Sequence, residues 1–169
     1  SGMLDNALEL LTLAGRDVRH AVMMLVPEAW EGVSGQDAAV RAFYRYHSAL
    51  MEPWDGPAAI AFSDGRWVGA ALDRNGLRPL RYLRTGDGLV VAGSEAGMVP
   101  VDPRTVVERG KLGPGQMIAV DVEEGRFLHN GEIKAEISTR RPYGEWVQQQ
   151  AVVLRRAAAA PVSAEAAPE

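Results

Sequence analysis

Apolar positions in the first fifty residues recur at helical spacing. In LDNALELLTLAG, Leu4, Ala7, Leu8 and Leu11 share one face, and Gly15 supplies a C-terminal stop. VRHAVMMLVPEAW is almost continuously apolar and is broken at Pro27, so a short helix or buried segment ends there, with Met23 and Met24 as core filler. GQDAAVRAFYRYHSALM repeats Val40, Phe43, Tyr44, His47 and Leu50 on one side, which predicts a third helix. His47 on that face reads as a hydrogen-bonded core histidine rather than a catalytic base.

From Asp55 the period becomes that of strands. Apolar runs pair around Asp64-Gly65, Asp87-Gly88 and Glu124-Gly125, and each glycine can take the positive φ of a tight hairpin. Three such signals predict an antiparallel sheet. Ala58–Phe62 and Leu89–Gly93 are apolar at nearly every position, which predicts cover on both faces, from helices on one side and a second sheet on the other. VPVDPRTVVERGKLGPGQM reads as a connection, and its Gly113-Pro114-Gly115 as a turn, since no Lys-Ser/Thr follows to make a phosphate loop. Beyond Trp146 the chain fades into Ala, Pro and Glu. The expected organisation is one domain over 1–147 and a linker or disordered tail over 148–169.

Composition narrows the chemistry. The 169 residues are 47% hydrophobic and 24% charged, ordinary for a globular protein with a real core. A net charge of −4 without a basic, aromatic-laced run gives no footprint for nucleic acid, and no stretch is long and apolar enough for a membrane span. With no secretory signal in view, a cytoplasmic setting is expected. There is no cysteine, which removes disulfides, thiolate metal sites and cysteine nucleophiles from this chain. The three histidines, at 20, 47 and 129, lack paired metal-ligand spacing, so no metal site is expected.

Candidate chemistry is sparse. His129-Asn130-Gly131-Glu132 can be read as an oxyanion-type Asn-Gly pair or as a tight turn. The residues alone leave both readings open. Ser1 could serve as an N-terminal nucleophile, but it leads into an amphipathic helix, where serine is a natural cap. Trp54 and Trp67 read as packing residues.

Four stretches carry a resemblance. MEPWDGPA (Met51–Ala58), DRNGLRP (Asp73–Pro79), VVAGSEAGMV and KLGPGQMIAVD together resemble the glutaminase domain of glutamate synthase large subunits, a class II glutamine amidotransferase. LDNALELL and MMLVPEAW fit the same family, so the likeness extends to about Trp146. Amidophosphoribosyltransferase and asparagine synthetase share only looser forms of DRNGLRP and of Ser94-Glu95.

The resemblance implies an α+β fold, part of the four-layer αββα N-terminal-nucleophile hydrolase sandwich with antiparallel sheets, its first strands missing. It implies hydrolysis of L-glutamine to L-glutamate and ammonia, passage of ammonia through an internal tunnel, and reductive addition to 2-oxoglutarate. FMN, an iron–sulfur cluster and NAD(P)H or ferredoxin are implied for the full-length enzyme, and none of them for this chain. The family's N-terminal cysteine, its substrate-gripping Arg and Asp and its oxyanion Asn-Gly all precede the LDNALELL segment. The likeness therefore implies a surface turn at Asn130-Gly131, with a helix starting in EIKAEI. Ser1 matches the second serine of a Ser-Asp-Ser run whose Asp binds substrate. The chain is therefore expected to hold no catalytic, substrate-binding or metal residue of its own and to be inactive alone. Its partners would be the N-terminal part of the same domain and the downstream synthase domains. Asp73, Arg74, Asn75, Gly76, Leu77, Arg78, Pro79, Ser94 and Glu95 are expected to be a structural signature. A non-catalytic scaffold or partner-binding module, and a divergent hydrolase using Ser1, stay open beside this reading.

Overall fold

Local chemistry explains where the elements begin. The computed structural model describes residues 2–152. Three helices come first, α1 (Gly2–Leu13), α2 (Val18–Leu25) and α3 (Ala38–Ser48). The Asp17 carboxylate caps α2 by accepting from Arg19 N at 2.8 Å, and Asp37 caps α3 by accepting from Ala39 N and Val40 N at 2.8 and 3.2 Å. Pro27 lies two residues past the end of α2, and Gly15, with φ +86°, turns the chain out of α1. Leu4, Ala7, Leu8 and Leu11 do form the inward face of α1, though each is only half-buried.

Seven strands and two helices follow. They are β1 (Ala59–Ser63), β2 (Trp67–Leu72), β3 (Arg81–Thr85), β4 (Val90–Gly93), β5 (Val106–Lys111), β6 (Met117–Asp121), β7 (Arg126–Leu128), α4 (Asn130–Ser138) and α5 (Tyr143–Gln150). They build two antiparallel sheets, one ordered β1-β2-β6-β7 and the other β4-β3-β5. All three expected hairpins are present, and Gly65, Gly88 and Gly125 have the positive φ that they need.

Two cores result. The larger lies between the helices and one face of the four-stranded sheet, where Met23, Phe43, Ala119, Ile133 and Ile137 are fully buried. The smaller lies between the sheets and joins Ala70, Leu72 and Ile118 to Leu80 and Leu112, with Tyr82 and Phe127 at its margin. Helices, sheet and sheet therefore form successive layers, in agreement with the expected α+β class.

Three expectations need correction. β1 and β4 are terminal strands, and Ala59, Ala61 and Ala92 are exposed, so they are not covered on both faces among the described residues. The Pro/Gly-rich connection contains β5, a strand pairing along its length with β3. Its alternation was masked because an inward position carries Glu108 rather than an apolar residue. Leu50 lies beyond α3 and is exposed. α5 runs to Gln150, and its Tyr143 and Trp146 stack against Tyr46 of α3 at 5.3 Å each. Ser1 and the tail from 153 onward, with the readings made of them, lie outside the described residues.

Gly69 shows how tightly the central strand is packed. A Cβ there would run into the Phe62 ring and sit 2.6 Å from the Ile118 carbonyl oxygen. A backbone oxygen in mid-sheet cannot step aside, so Gly69→Ala should destabilise the fold by about 1–3 kcal/mol, measured by urea unfolding.

Candidate functional site

The loop that leaves β2 is organised by one carboxylate. Asp73 is 3% exposed. Its Oδ1 accepts from Ala58 N at 3.1 Å and its Oδ2 from Asn75 N at 2.8 Å. Its backbone N–H donates to the Ala58 carbonyl at 3.1 Å, and its carbonyl accepts from Gly76 N at 3.2 Å and Gly115 N at 2.8 Å. One residue thus ties together the start of β1, the turn after β2 and the turn before β6. Gly76 sits at φ +61° with Pro114 packed on its open side, so conformation and space both demand glycine there.

The other charged residues of the loop point outward. Arg74 pairs with Asp55 at 2.6 Å, and Arg78 Nε donates to the Pro57 carbonyl at 3.3 Å, so both hold the segment leading into β1. Leu77 and Pro79 are exposed. Ser94 and Glu95 follow β4 and make no hydrogen bond to this loop among the described residues. Ser94 lines the cleft between the sheets, whereas Glu95 lines a depression on the outer face of the three-stranded sheet. The signature residues do not converge on one point.

His129-Asn130-Gly131-Glu132 is not a turn. Asn130 and Gly131 are the first two residues of α4, and His129 is its N-cap, with Glu132 Oε2 accepting from His129 N at 2.8 Å. Asn130 Oδ1 accepts from Met117 N at 3.2 Å and so fastens the helix start to β6. Gly131 has no positive φ, and a side chain there would meet nothing within 4 Å. Helix capping outcompetes the Asn-Gly turn preference because a Glu stands at the third helical position.

His47 is buried, as its place on α3 predicted, but it has an unforeseen partner. Its Nδ1 lies 2.8 Å from the Phe43 carbonyl, which can only accept, so that nitrogen carries the proton. The bare Nε2 of His47 then accepts from His20 Nε2–H at 3.0 Å. Burial pushes both imidazoles down to about 4, helped for His20 by the neighbouring His47. Both are neutral, with both ring nitrogens of His47 and Nε2 of His20 spent on structure.

Two apolar grooves flank β1. One, of about 580 Å³, lies between the sheets and is lined by Ile60, Val68, Leu80, Leu89, Ile118 and Val120. The other, of about 690 Å³, lies under α1 and is lined by Leu4, Leu8, Val22, Trp54 and Ile60. Trp54 is thus a half-exposed wall of a groove, in contrast to Trp67, which is buried beneath the Arg19 guanidinium at 3.4 Å. Sequence reading missed Arg19, which is 1% exposed and ion-paired to Asp17 and Glu136 at 2.5 and 3.0 Å. It also missed Lys134, buried against Glu28 at 2.7 Å and the Gly115 carbonyl at 2.9 Å. Arg19 stands at the edge of the apolar stretch that begins at Val18, but its charge, like that of Lys134, reads as a surface feature. Among the described residues no three His, Asp or Glu side chains cluster to hold a metal, and no helix is long and apolar enough to cross a membrane.

Comparison with known proteins agrees with this scaffold. The family model for class-II glutamine amidotransferases matches residues 1–146. The chain is 47% identical over 152 residues to the glutamate synthase [NADPH] large chain of Bacillus subtilis, covering 90% of this chain and 10% of that one. It is 48% identical over 148 residues to the corresponding chain of Azospirillum brasilense, covering 88% and 10%. It is 50% identical over 152 residues to the chloroplastic ferredoxin-dependent glutamate synthase of Oryza sativa subsp. japonica, covering 88% and 9%. The chain thus spans about a tenth of the length of the curated relatives it matches.

Two outcomes follow from the site. Gly131→Ala should raise stability by about 0.5 kcal/mol, because alanine is the better helix former. A loss in thermal unfolding would show that the residue turns the chain after all. For His20 and His47 the folded pKa lies below the ordinary 6.5. The unfolded chain therefore binds more protons between pH 6.5 and 4, and stability falls as pH drops through that window. The melting temperature should decrease by about 5 °C or more from pH 7 to pH 4, and a His20→Gln/His47→Gln double variant should show a flatter slope.

Proposed function

The chain belongs to the class-II glutamine amidotransferases, and on that premise we propose that it is scaffold for the glutaminase domain of a glutamate synthase large subunit. The observation that carries this reading is the match of residues 1–146 at close to half identity to chains of that name. In this reading L-glutamine is hydrolysed to L-glutamate and ammonia, and the ammonia is transferred reductively to 2-oxoglutarate outside this chain. The 169 residues hold no cysteine, so the thiol that attacks the glutamine amide comes from another segment of the same domain. Residues 1–147 supply strands and helices to that domain. Asp73–Pro79, with Ser94 and Glu95, serve the scaffold rather than substrate, Asp73 and Arg78 through bonds to backbone groups and Arg74 through Asp55.

The grooves on either side of β1 support the same view. They are apolar, they bracket a terminal strand, and they suit cover by further strands or helices of the domain. FMN, an iron–sulfur cluster and the electron donor, NAD(P)H or ferredoxin, belong to downstream domains. No thiolate is available here for a cluster, and no step in this chain runs through any of these groups. The missing thiol also favours a second reading, a non-catalytic module that keeps the amidotransferase scaffold to bind a partner.

A glutaminase assay separates them. The purified chain should release no glutamate from glutamine above background, while a longer polypeptide that joins it to a cysteine-bearing amidotransferase segment should release it. Loss of that activity in Cys→Ser completes the case. An inactive longer polypeptide favours the scaffold module. Glutamate release by the 169-residue chain, abolished in Ser1→Ala, would overturn both readings for a serine hydrolase.

A further inference from the structure

His129 joins two carboxylates from different parts of the molecule. Its Nε2 lies 2.7 Å from Glu108 Oε1 on β5, in the three-stranded sheet. Its Nδ1 lies 3.1 Å from Glu132 Oε2 on α4, which follows the last strand of the four-stranded sheet. Ionised carboxylates only accept hydrogen bonds, so serving both takes an N–H on each ring nitrogen, which only the imidazolium has. A neutral imidazole keeps one carboxylate and turns a lone pair toward the other.

The surroundings supply a second state. Glu108 Oε1 also accepts from Tyr82 OH at 2.9 Å, and Glu108 Oε2 faces Arg84 Nε at 3.4 Å, both from β3. Arg84 Nε is buried yet makes no hydrogen bond among the described residues. It is an unused donor beside the carboxylate that His129 holds. From β7, the Phe127 ring meets His129 edge-on at 4.9 Å and carries the Arg84 guanidinium 5.5 Å from its centre, while Arg126 acts on Glu132. The place matters as well. Tyr82 and Phe127 stack at 5.7 Å across the β5–β7 side, whereas β1, β2 and β4 border the apolar cleft on the other side.

We propose that His129 is a proton-operated latch that fastens the two sheets along the β5–β7 side of the sandwich. Charged, it holds Glu108 against the start of α4. When its proton leaves to solvent, Glu108 turns to Arg84 within its own sheet, and the sheets are freed to separate on that side. The hydrogen bond that His129 donates to Glu108 raises the His129 pKa, burial opposes it, and Glu132 adds to it. A folded pKa above the ordinary value means that the latch is fully closed below about pH 6.5 and is lost as pH rises through the folded midpoint. His129 is 49% exposed, so salt weakens the effect.

The test is ¹⁵N-histidine NMR on the full chain, joined to amide exchange read against pH. At pH 6.5 both His129 ring nitrogens should be protonated while His20 and His47 remain neutral, and the His129 midpoint should lie above 6.5. Glu108→Gln should lower that midpoint by about half a unit or more, and Arg84→Met should raise it. Exchange of β5 amides, corrected for intrinsic rates, should accelerate about threefold or more through the same midpoint. A midpoint at or below the ordinary value, one indifferent to Glu108→Gln, or β5 exchange without an inflection there would overturn the latch. The first and last of these readouts need only the unsubstituted chain.

Discussion

The Asp73 carboxylate is the constraint on which the rest of the fold depends. It is almost fully buried, and it accepts from Ala58 N and Asn75 N, while its own backbone bonds to Ala58, Gly76 and Gly115. Each hydrogen bond to a buried charged group contributes about 1.5–3 kcal/mol, and here the contacts act at one point. The registers of β1 against β2 and of β2 against β6 both start beside it. A slip of one residue would turn Phe62 of β1 or Met117 of β6 away from the helices, so this junction selects the face on which the larger core forms.

From that junction a chain of buried charges reaches the helical layer. Gly115, whose N–H bonds Asp73, offers its carbonyl to Lys134 on α4, and Lys134 pairs with Glu28, which accepts from Gln36. Burial lowers the Lys134 pKa, and Glu28 opposes that shift, so the pair stays worth its desolvation only while both partners are in place. A Cβ at Gly115 would collide with Glu28, which means the loop after α2 and the turn before β6 touch backbone to side chain. On the other side of the layer Arg19 stacks on Trp67 and pairs with Asp17 and Glu136, and Arg140 bonds to the same two carboxylates. The apolar core is thus clamped by polar contacts that fix how helices sit on the sheet.

Legibility in the sequence follows from how local each cause is. Helices α1 to α3 were readable because apolar spacing and the stops at Gly15 and Pro27 are written in adjacent residues, and the hairpins because one glycine decides each turn. β5 was hidden because its inward Glu108 finds its partners, Tyr82 and His129, 26 and 21 residues away. The start of α4 was misread for a related reason, since Asn-Gly favours a turn until Glu132 caps the helix and Asn130 bonds Met117. Arg19 and Lys134 carry charges that pattern reading assigns to the surface, and only their distant partners make burial tolerable. The motifs fixed the family, while the separation of Ser94 and Glu95 from Asp73–Pro79 could be seen only in three dimensions.

That separation bears on what the signature residues do. A set of charged side chains that performs chemistry must converge on the reacting atoms within hydrogen-bond reach. Here Asp73 spends both carboxylate oxygens on backbone N–H groups, Arg74 is held by Asp55, Arg78 by a carbonyl, and Ser94 and Glu95 face different depressions. Every one of the hydrogen-bonded groups acts on loop geometry around β1, the strand flanked by both apolar grooves. The most specific stretch of this sequence therefore sets the backbone geometry beside both apolar grooves.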